Sequence, residues 1–489
     1  MNMEIIDNPT GKGLESIESE LISILGAQNV STDEFVLISY SEDASPFKGK
    51  KPKIVIRPET SEQVSRVMKL ATKMQIPVIP VGGRSSINGA TIPRVSNALM
   101  IDFTEMTHLI ELNEDNMTIS VQIGITWAEL IHKLKEKGYK LGFRGPYGGN
   151  AGTVGGSLSA NSIGCGASAN GGACDNVIGL EVVLSNGDVI QTGSNWKNSS
   201  FLLKGSFARY CTFNDLTGIF LGDHGTLGVK TAATLKIFPL PKGITYSDFG
   251  FSDIDHATKA FHEIQKLHLV EEAVMLGDSN SIDLLASTYR STFKNLECIF
   301  AVIIEEIDEE IANLKKEHCE RIVRKYGGKS IGTFLSKAHW LNMFNLVQSL
   351  FEEGFWYNTC HIRPINTLPI LIEKFENLAN KYELKENGFN WIISALGVDH
   401  CFSSGWITIF MKDKEKEEIL AEVWDELREI EMELGGVPYW TGKLWEPYAL
   451  KRINPIFHDV LRNLKKTLDP QNILHPAVFD LIQKRDNNA

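Results

Sequence analysis

Apolar positions in residues 14–26, LESIESELISILG, recur at helical spacing and stop at Gly26, which predicts a short leading helix. The period then changes. Residues 53–83, KIVIRPETSEQVSRVMKLATKMQIPVIPVGG, read as strand, helix, strand, with Thr60 and Gln63 spaced as a capping box whose side chains satisfy each other's orphan N–H groups. The second strand runs directly into GGRSSINGA. Strands are expected in ALMIDF and MTISVQIGI, and a helix in WAELIHKLKEKG. A glycine-rich window follows from Gly145 to Asn176. Beyond it, VIGLEVVLSNGDVI predicts a hairpin turning tightly on Asn186-Gly187, and GTLGVKTAATLKIFPLP predicts one more strand.

Pro239 and Pro241 mark a boundary, and past residue 245 the texture is different. Long charged amphipathic helices, EEIDEEIANLKKEHCERIVRKYG and KEKEEILAEVWDELREIEMELGG, alternate with the apolar strands CIFAVII, NWIISALGV and WITIFM. That alternation suggests a sheet covered by helices on one face. The tail, INPIFHDVLRNLKKTLDPQNILHP, reads as a helix ended by Asp469-Pro470. At 489 residues the chain exceeds what one hydrophobic core usually holds. The expected fold class is α+β, as two large domains or one domain carrying an inserted second, with a change of texture over residues 245–435.

A formal charge of −12 argues against a nucleic-acid partner, which needs clustered Lys and Arg. The N-terminus has no basic stretch followed by an apolar run, and no apolar run reaches the roughly 18 residues of a membrane span, so a cytoplasmic protein is expected. Seven cysteines, odd in number and without a C-x-x-C pair, fit reduced thiols better than disulfides or zinc. Cys165 and Cys174 are close in sequence but match no usual metal spacing, and no metal is expected.

Ten of the 41 glycines fall between Gly145 and Asn176. A spacer of such composition is normally polar, whereas this window carries Val154, Leu158 and Ile163 and lies between a helix and a hairpin. An ordered loop is the better reading. Glycines allow close backbone approach, and several N–H groups in a row can face an anion. PVGGRSSINGA offers the same chemistry through Gly82, Gly83, Ser85, Ser86 and Gly89. Two such loops suggest opposite sides of one phosphorylated ligand. Neither has the G-K-[ST] of a P-loop nor the G-x-G-x-x-G of a dinucleotide fold.

Assembled in order, these pieces resemble the vanillyl-alcohol oxidase and p-cresol methylhydroxylase superfamily of FAD enzymes. PVGGRSSING (80–89) is similar to that family's first flavin loop, GTVGGSLSAN (152–161) to its second, and DNVIGLEVVLSNG (175–187) to the strand that follows. GDHGTLGVKTAATLKIFPLP (222–241) resembles the segment beside the flavin, and LDPQNILHP the family's C-terminal motif. The likeness covers roughly residues 40–241 and about 40 residues of the tail. It implies a p-cresol-methylhydroxylase-type flavin domain over 1–244, an inserted α+β cap over 245–435, a segment over 436–489 returning to the flavin domain, and FAD as cofactor.

The resemblance implies that the first loop holds the FAD pyrophosphate through Pro80, Val81, Gly82, Gly83, Arg84, Ser85, Ser86, Asn88, Gly89 and Ala90. The second loop, with Pro146, Gly149, Thr153, Val154, Gly155, Gly156, Ser157, Ala160 and Asn161, lies along ribityl and isoalloxazine. Asp223, His224, Gly225, Gly228 and Val229 close over the flavin, and His475 comes from the tail. Arg84 stands where some relatives have a flavin-tethering histidine, and no cysteine stands near Asn150, so non-covalent FAD is favoured. His475 and His458 keep a covalent link open. His224 replaces the family's usual Glu.

For catalysis, WYNTCHIRP places His361 and Arg363 on one face of a strand, where they suit a base and a carboxylate clamp, or a partly buried sheet edge. His400 is a second candidate base or a polar residue at a strand end. The metal-binding histidine stretches of the superfamily's D-lactate and glycolate enzymes have no counterpart beyond Asp399 and His400. Pro438-Tyr439-Trp440-Thr441 resembles the phenol-oxidising branch's P-Y-R-T without its Arg. Tyr439 either grips substrate or packs the domain interface, and Lys443 supplies charge to a phenolate or to reduced flavin.

The expected activity is hydride transfer from a small hydroxylated substrate, foremost a D-2-hydroxy acid, to flavin. Oxidation of a para-substituted phenol or aryl alcohol, a non-redox alkyl transfer as in ether-lipid synthase, and an electron-relay subunit are the alternatives. The expected partners are a small-molecule substrate and an electron acceptor that is oxygen, a quinone or a protein. A homo-oligomer stays open.

Overall fold

A computed structural model describes residues 11–45, 47–198, 201, 203–277, 296–345, 355–384, 390–396, 402–411, 417–439 and 442–482. The first half builds two sheets. Ile54–Ile56, Leu99–Asp102 and Val78–Val81 run parallel side by side, and Val30–Ser31 adds an antiparallel edge. The helix Ser61–Met74 joins the first of these to Val78–Val81 and starts on the expected box, Gln63 N–H donating to Thr60 Oγ1 at 3.2 Å and Thr60 N–H to Gln63 Oε1 at 3.2 Å. Its buried face carries Val64, Val67, Met68, Leu70 and Ala71, the 3.6-residue pattern read from the sequence.

The second sheet is antiparallel, Leu109–Asn113, Thr118–Gln122, Val229–Pro239, Val177–Val183 and Val189–Gln191 in spatial order, with Tyr139–Leu141 paired to Val229–Pro239. The last pair is the expected hairpin, but its turn is not a two-residue one on Asn186-Gly187. Gly187 N–H donates to Leu184 O at 2.9 Å and Gly187 alone takes a positive φ, +82°. Residue 184 therefore begins a four-residue turn that Gly187 ends, which spares Asn186 the left-handed region.

The third sheet has eight strands, ordered Lys329–Gly332, Gly243–Phe251, Cys298–Glu306, Glu272–Leu276, Asn390–Leu396, Phe402–Met411, Phe355–Pro364 and Val437–Pro438. Its faces differ. On one, Phe249, Met275, Phe300 and Val302 pack on the helices Ile254–Lys266, Glu309–Lys325, Leu368–Lys381 and Glu417–Glu433 through Phe261, Ile322, Phe375 and Leu427. The other meets the first half of the chain: Ile303 packs with Cys165 of the glycine-rich window and with Trp340 and Met343. Ser168 ties that seam, its Oγ accepting from Ala273 N–H at 3.0 Å and its carbonyl from Gln265 Nε2 at 2.6 Å.

The tail helix Pro455–Leu468 ends before Asp469, and the chain then returns to the first sheet. Val78 N–H donates to Ile473 O at 2.7 Å and His475 N–H to Val78 O at 2.8 Å, so 473–475 extends that sheet beside the strand leading into the first loop. Among the described residues no helix is long and apolar enough to cross a membrane.

Candidate functional site

The strand Val78–Val81 ends in the first glycine loop, and that loop faces the second across a channel of about 390 Å3. Pro80, Val81, Gly82, Gly83, Arg84, Ser85, Ser86, Asn88 and Ala90 line one side, and Pro146, Thr153, Gly155, Gly156, Ser157 and Ala160 the other. His224, Gly225, Gly228 and His475 also border it. Six of the cofactor residues expected from the sequence do not. Val154 and Val229 point into the core, Asn161 is the left-handed C-cap of the helix Val154–Ala160, and Gly149 packs under Phe344. Gly89 turns with φ +74° beside Phe47 and Lys443, and Asp223 is buried on Lys230.

The channel's walls rest on backbone proximity. A Cβ on Gly83 would lie 1.7 Å from Ala151 O, and one on Gly82 would lie 2.2 Å from Thr153 Oγ1. These glycines therefore serve first to let the two loops close on each other. In the second loop the N–H groups are largely used by protein: Val154 donates to Ile125 O at 3.0 Å, Gly155 to Ile123 O at 2.8 Å, and Gly156 to Thr153 Oγ1 at 3.1 Å. In the first loop the N–H groups from Gly82 to Ile87 meet no acceptor among the described residues. A row of backbone donors bordering a channel is suited to an anion such as a pyrophosphate.

Two histidines close the far wall. His475 Nδ1 lies 2.7 Å from His224 O, so Nδ1 carries the proton and Nε2 presents a lone pair; among the described residues Nε2 is buried without a hydrogen-bond partner. Burial lowers both imidazoles, His224 to about 4 and His475 to about 3, with Arg94 nearby adding to the effect. Below pH 6.5 an unfolded chain protonates both rings while the folded one keeps them neutral, so stability is complete above that pH and falls as acid is added toward 4. His475→Gln should shallow this slope by up to one proton between pH 6.5 and 4, read from denaturant unfolding at several pH values. An unchanged slope would contradict the buried neutral ring.

Comparison with known proteins gives the channel its context. Residues 52–193 match the family described as FAD binding domain, and residues 240–478 match the C-terminal domain of FAD linked oxidases. The chain belongs to the FAD-linked oxidases. Its cofactor is FAD, and the family's chemistry implies a small-molecule substrate and an electron acceptor. The chain is 25% identical over 472 residues to the glycolate oxidase subunit GlcD of Bacillus subtilis, covering 95% of this chain and 96% of that protein. It is 23% identical over 502 residues to D-lactate dehydrogenase [cytochrome] 1, mitochondrial, of Saccharomyces cerevisiae, covering 97% and 81%. The structure of p-cresol methylhydroxylase with substrate bound superposes with a TM-score of 0.78 at 16% identity, covering 96% of each chain. The fold is thus of the p-cresol-methylhydroxylase type.

For an FAD-linked oxidase the donor set fits. Unused backbone N–H groups suit the pyrophosphate, small side chains admit an elongated cofactor, and His475 Nε2 can accept from a hydroxyl. The sequence reading missed several lining residues, among them Phe103, Ile123, Tyr147, Lys230 and Phe344. Lys230 had a signal in hindsight, a cation at the start of a largely apolar strand. It pairs with Asp223 at 2.6 Å, both nearly inaccessible, and Asp223 also accepts from Gly225 N–H at 3.0 Å. Lys465 joins this region to the tail, donating to Thr226 O at 2.8 Å, Asp469 at 2.6 Å and Leu474 O at 2.6 Å.

The cap candidates do not converge on this channel. His361 and Arg363 share a strand face as the spacing required, and both are buried. That face looks at the helix layer: His361 Nδ1 pairs with Glu431 of Glu417–Glu433, while the intervening Ile362 packs toward Ile163, Ala167 and Tyr439. Tyr439 is buried in the seam, its hydroxyl accepting from Ile163 N–H and donating to Ile163 O at 3.2 Å. Tyr439→Phe leaves that N–H buried without its acceptor and should cost about 1–3 kcal/mol in denaturant unfolding. Lys443 is exposed, near Lys48 O at 3.5 Å and Phe47. Arg84 turns away with φ +50°, donates to Ser39 O and lies 4.0 Å over Tyr40. His400, with Asp399, Trp440 and Thr441, lies outside the described residues.

Proposed function

We propose that this FAD-linked oxidase removes a hydride from a D-2-hydroxy acid of the lactate and glycolate type. The observation that carries the reading is a small-residue channel that runs to the cap at Tyr147 and Phe344, in a chain matched nearly end to end by a glycolate oxidase subunit and a D-lactate dehydrogenase. Bound FAD supplies the hydride acceptor. The protein's residues supply position: N–H groups from Gly82 to Ile87 hold the pyrophosphate, and His475 Nε2 accepts a cofactor hydroxyl. FAD is held without a covalent bond, with Arg84 folded onto Tyr40 and His475 tied to His224 O. Residues 1–244 serve as the flavin domain, 245–435 as the cap, and 436–489 as the returning segment.

The reading of a phenol substrate leans on Tyr439, whose hydroxyl is already engaged by the Ile163 backbone. In the present reading Tyr439 holds the glycine-rich window against the cap, and His361 with Arg363 frames the cap from within. Anaerobic mixing of the FAD-loaded protein with D-lactate, glycolate, longer D-2-hydroxy acids and vanillyl alcohol tests this. Bleaching of the flavin by acids but not by the aryl alcohol is expected. The reverse pattern would transfer the protein to phenol oxidation, and bleaching by none would favour alkyl transfer or electron relay.

A further inference from the structure

Two buried lysines meet the segment 223–227, and their ammonium groups differ in how fully they are bonded. Lys465 has an acceptor for each of its three protons, Thr226 O at 2.8 Å, Asp469 at 2.6 Å and Leu474 O at 2.6 Å, and it does not border the channel. Lys230 does border it, and its side chain is 2% exposed. Among the described residues its Nζ has one partner, Asp223 Oδ1 at 2.6 Å. That carboxylate is fixed in turn, accepting from Gly225 N–H at 3.0 Å and Leu227 N–H at 3.4 Å. Two donors of a buried, channel-bordering ammonium thus have no acceptor among the described residues.

Burying an ammonium with donors unmet is costly, so the unmade bonds point to a group that fills the channel. The neighbours define its chemistry. Asp223 already balances the charge, and His475 Nε2, which borders the same channel, offers a lone pair. A phosphate has no proton to give that nitrogen. Adenosine carries both kinds of group: ring nitrogens and ribose oxygens accept, while ribose hydroxyls and the amino group donate. Position selects the same half of FAD. The hydride-accepting ring has to lie where the channel reaches the cap at Tyr147 and Phe344, whereas Lys230 stands with His224 and His475 on the far wall. We propose that Lys230, held by Asp223, donates to the adenosine half of FAD and makes the site selective for the dinucleotide over FMN. The assignment rests on FAD as the cofactor and is independent of which substrate is oxidised.

The test titrates the full-length chain, stripped of flavin, with FAD, with ADP as the adenosine half and with FMN as the flavin half, the dissociation constants read by calorimetry. Lys230→Met is combined with Asp223→Asn, so that no carboxylate is left buried without its counter-charge and Gly225 N–H keeps an acceptor. The double variant should bind ADP and FAD roughly 10- to 100-fold more weakly than wild type and FMN equally well. Weaker FMN with unchanged ADP would overturn the proposal and give Lys230 to the flavin half. Unchanged binding of all three would show that water satisfies the ammonium, and equal weakening of all three would show a purely structural role; both overturn it. Wild-type protein that binds FMN but not ADP overturns it as well. If the double variant does not fold, Lys230→Arg decides by the same comparison: ADP weakened with FMN unchanged supports the assignment, and ADP binding equal to wild type overturns it. Wild-type protein that binds no FAD would remove the cofactor reading itself.

Discussion

Gly83→Val should give a folded protein that purifies without FAD. The new Cβ would lie 1.7 Å from Ala151 O and 2.6 Å from Ala151 C, both backbone atoms that no rotamer change can move. The two glycine loops must then part, and the channel between them loses its shape. The hydrophobic core of this half, centred on Ile56, Met68, Ile101, Val121 and Leu235, lies away from the clash and should survive. Flavin-to-protein ratio after purification, with circular dichroism as the check on folding, reads the outcome. Gly82→Ala meets a movable side chain, Thr153 Oγ1 at 2.2 Å, so it should bind FAD more weakly without losing it. Full FAD content in Gly83→Val would show that the loops need not touch.

Asp469→Ala should be the most destabilising single change in the tail, by about 3–5 kcal/mol, because it leaves the buried Lys465 ammonium without its counter-charge. Asp469 is inaccessible, pairs with Lys465 at 2.6 Å, and accepts from Ile473 N–H at 3.1 Å and Leu474 N–H at 2.8 Å. Burial already lowers the Lys465 pKa, with Asp469 opposing the shift. The same segment sets His475 against the channel, so FAD affinity should fall with stability. Denaturant unfolding and FAD titration check the two limbs. A loss below about 1 kcal/mol would show that the carbonyls of Thr226 and Leu474 suffice for the ammonium.

The elements were legible where periodicity is strong. The Ser61–Met74 helix with its capping box, the strand Val229–Pro239 and the paired glycine loops all follow from local patterns. Alternation also showed that His361 and Arg363 share a face. It could not show that this face looks at Glu431, because the answer depends on which layer the sheet's two sides meet. The contacts that make the site are long-range: Gly83 meets Ala151, Tyr439 meets Ile163, and Lys465 reaches Thr226. None has a spacing to read.

Glycine content pointed to two loops that line one channel, and their glycines serve a partly different purpose there. It suggested backbone donors open to a phosphate, and the Gly82–Ile87 N–H groups meet no acceptor among the described residues. Around Val154 and Gly155 the backbone is instead spent on Ile125 and Ile123, and the bare Cα positions buy close packing.

The central claim is that a D-2-hydroxy acid gives its hydride to FAD held in this channel. Anaerobic mixing of the FAD-loaded protein with D-lactate, followed at once by the flavin's visible absorbance and by assay of pyruvate, tests it most directly. The account predicts loss of the flavin colour with one pyruvate formed per flavin reduced, and no such change with L-lactate. Retention of colour with D-lactate, glycolate and longer D-2-hydroxy acids, alongside bleaching by vanillyl alcohol, would contradict it.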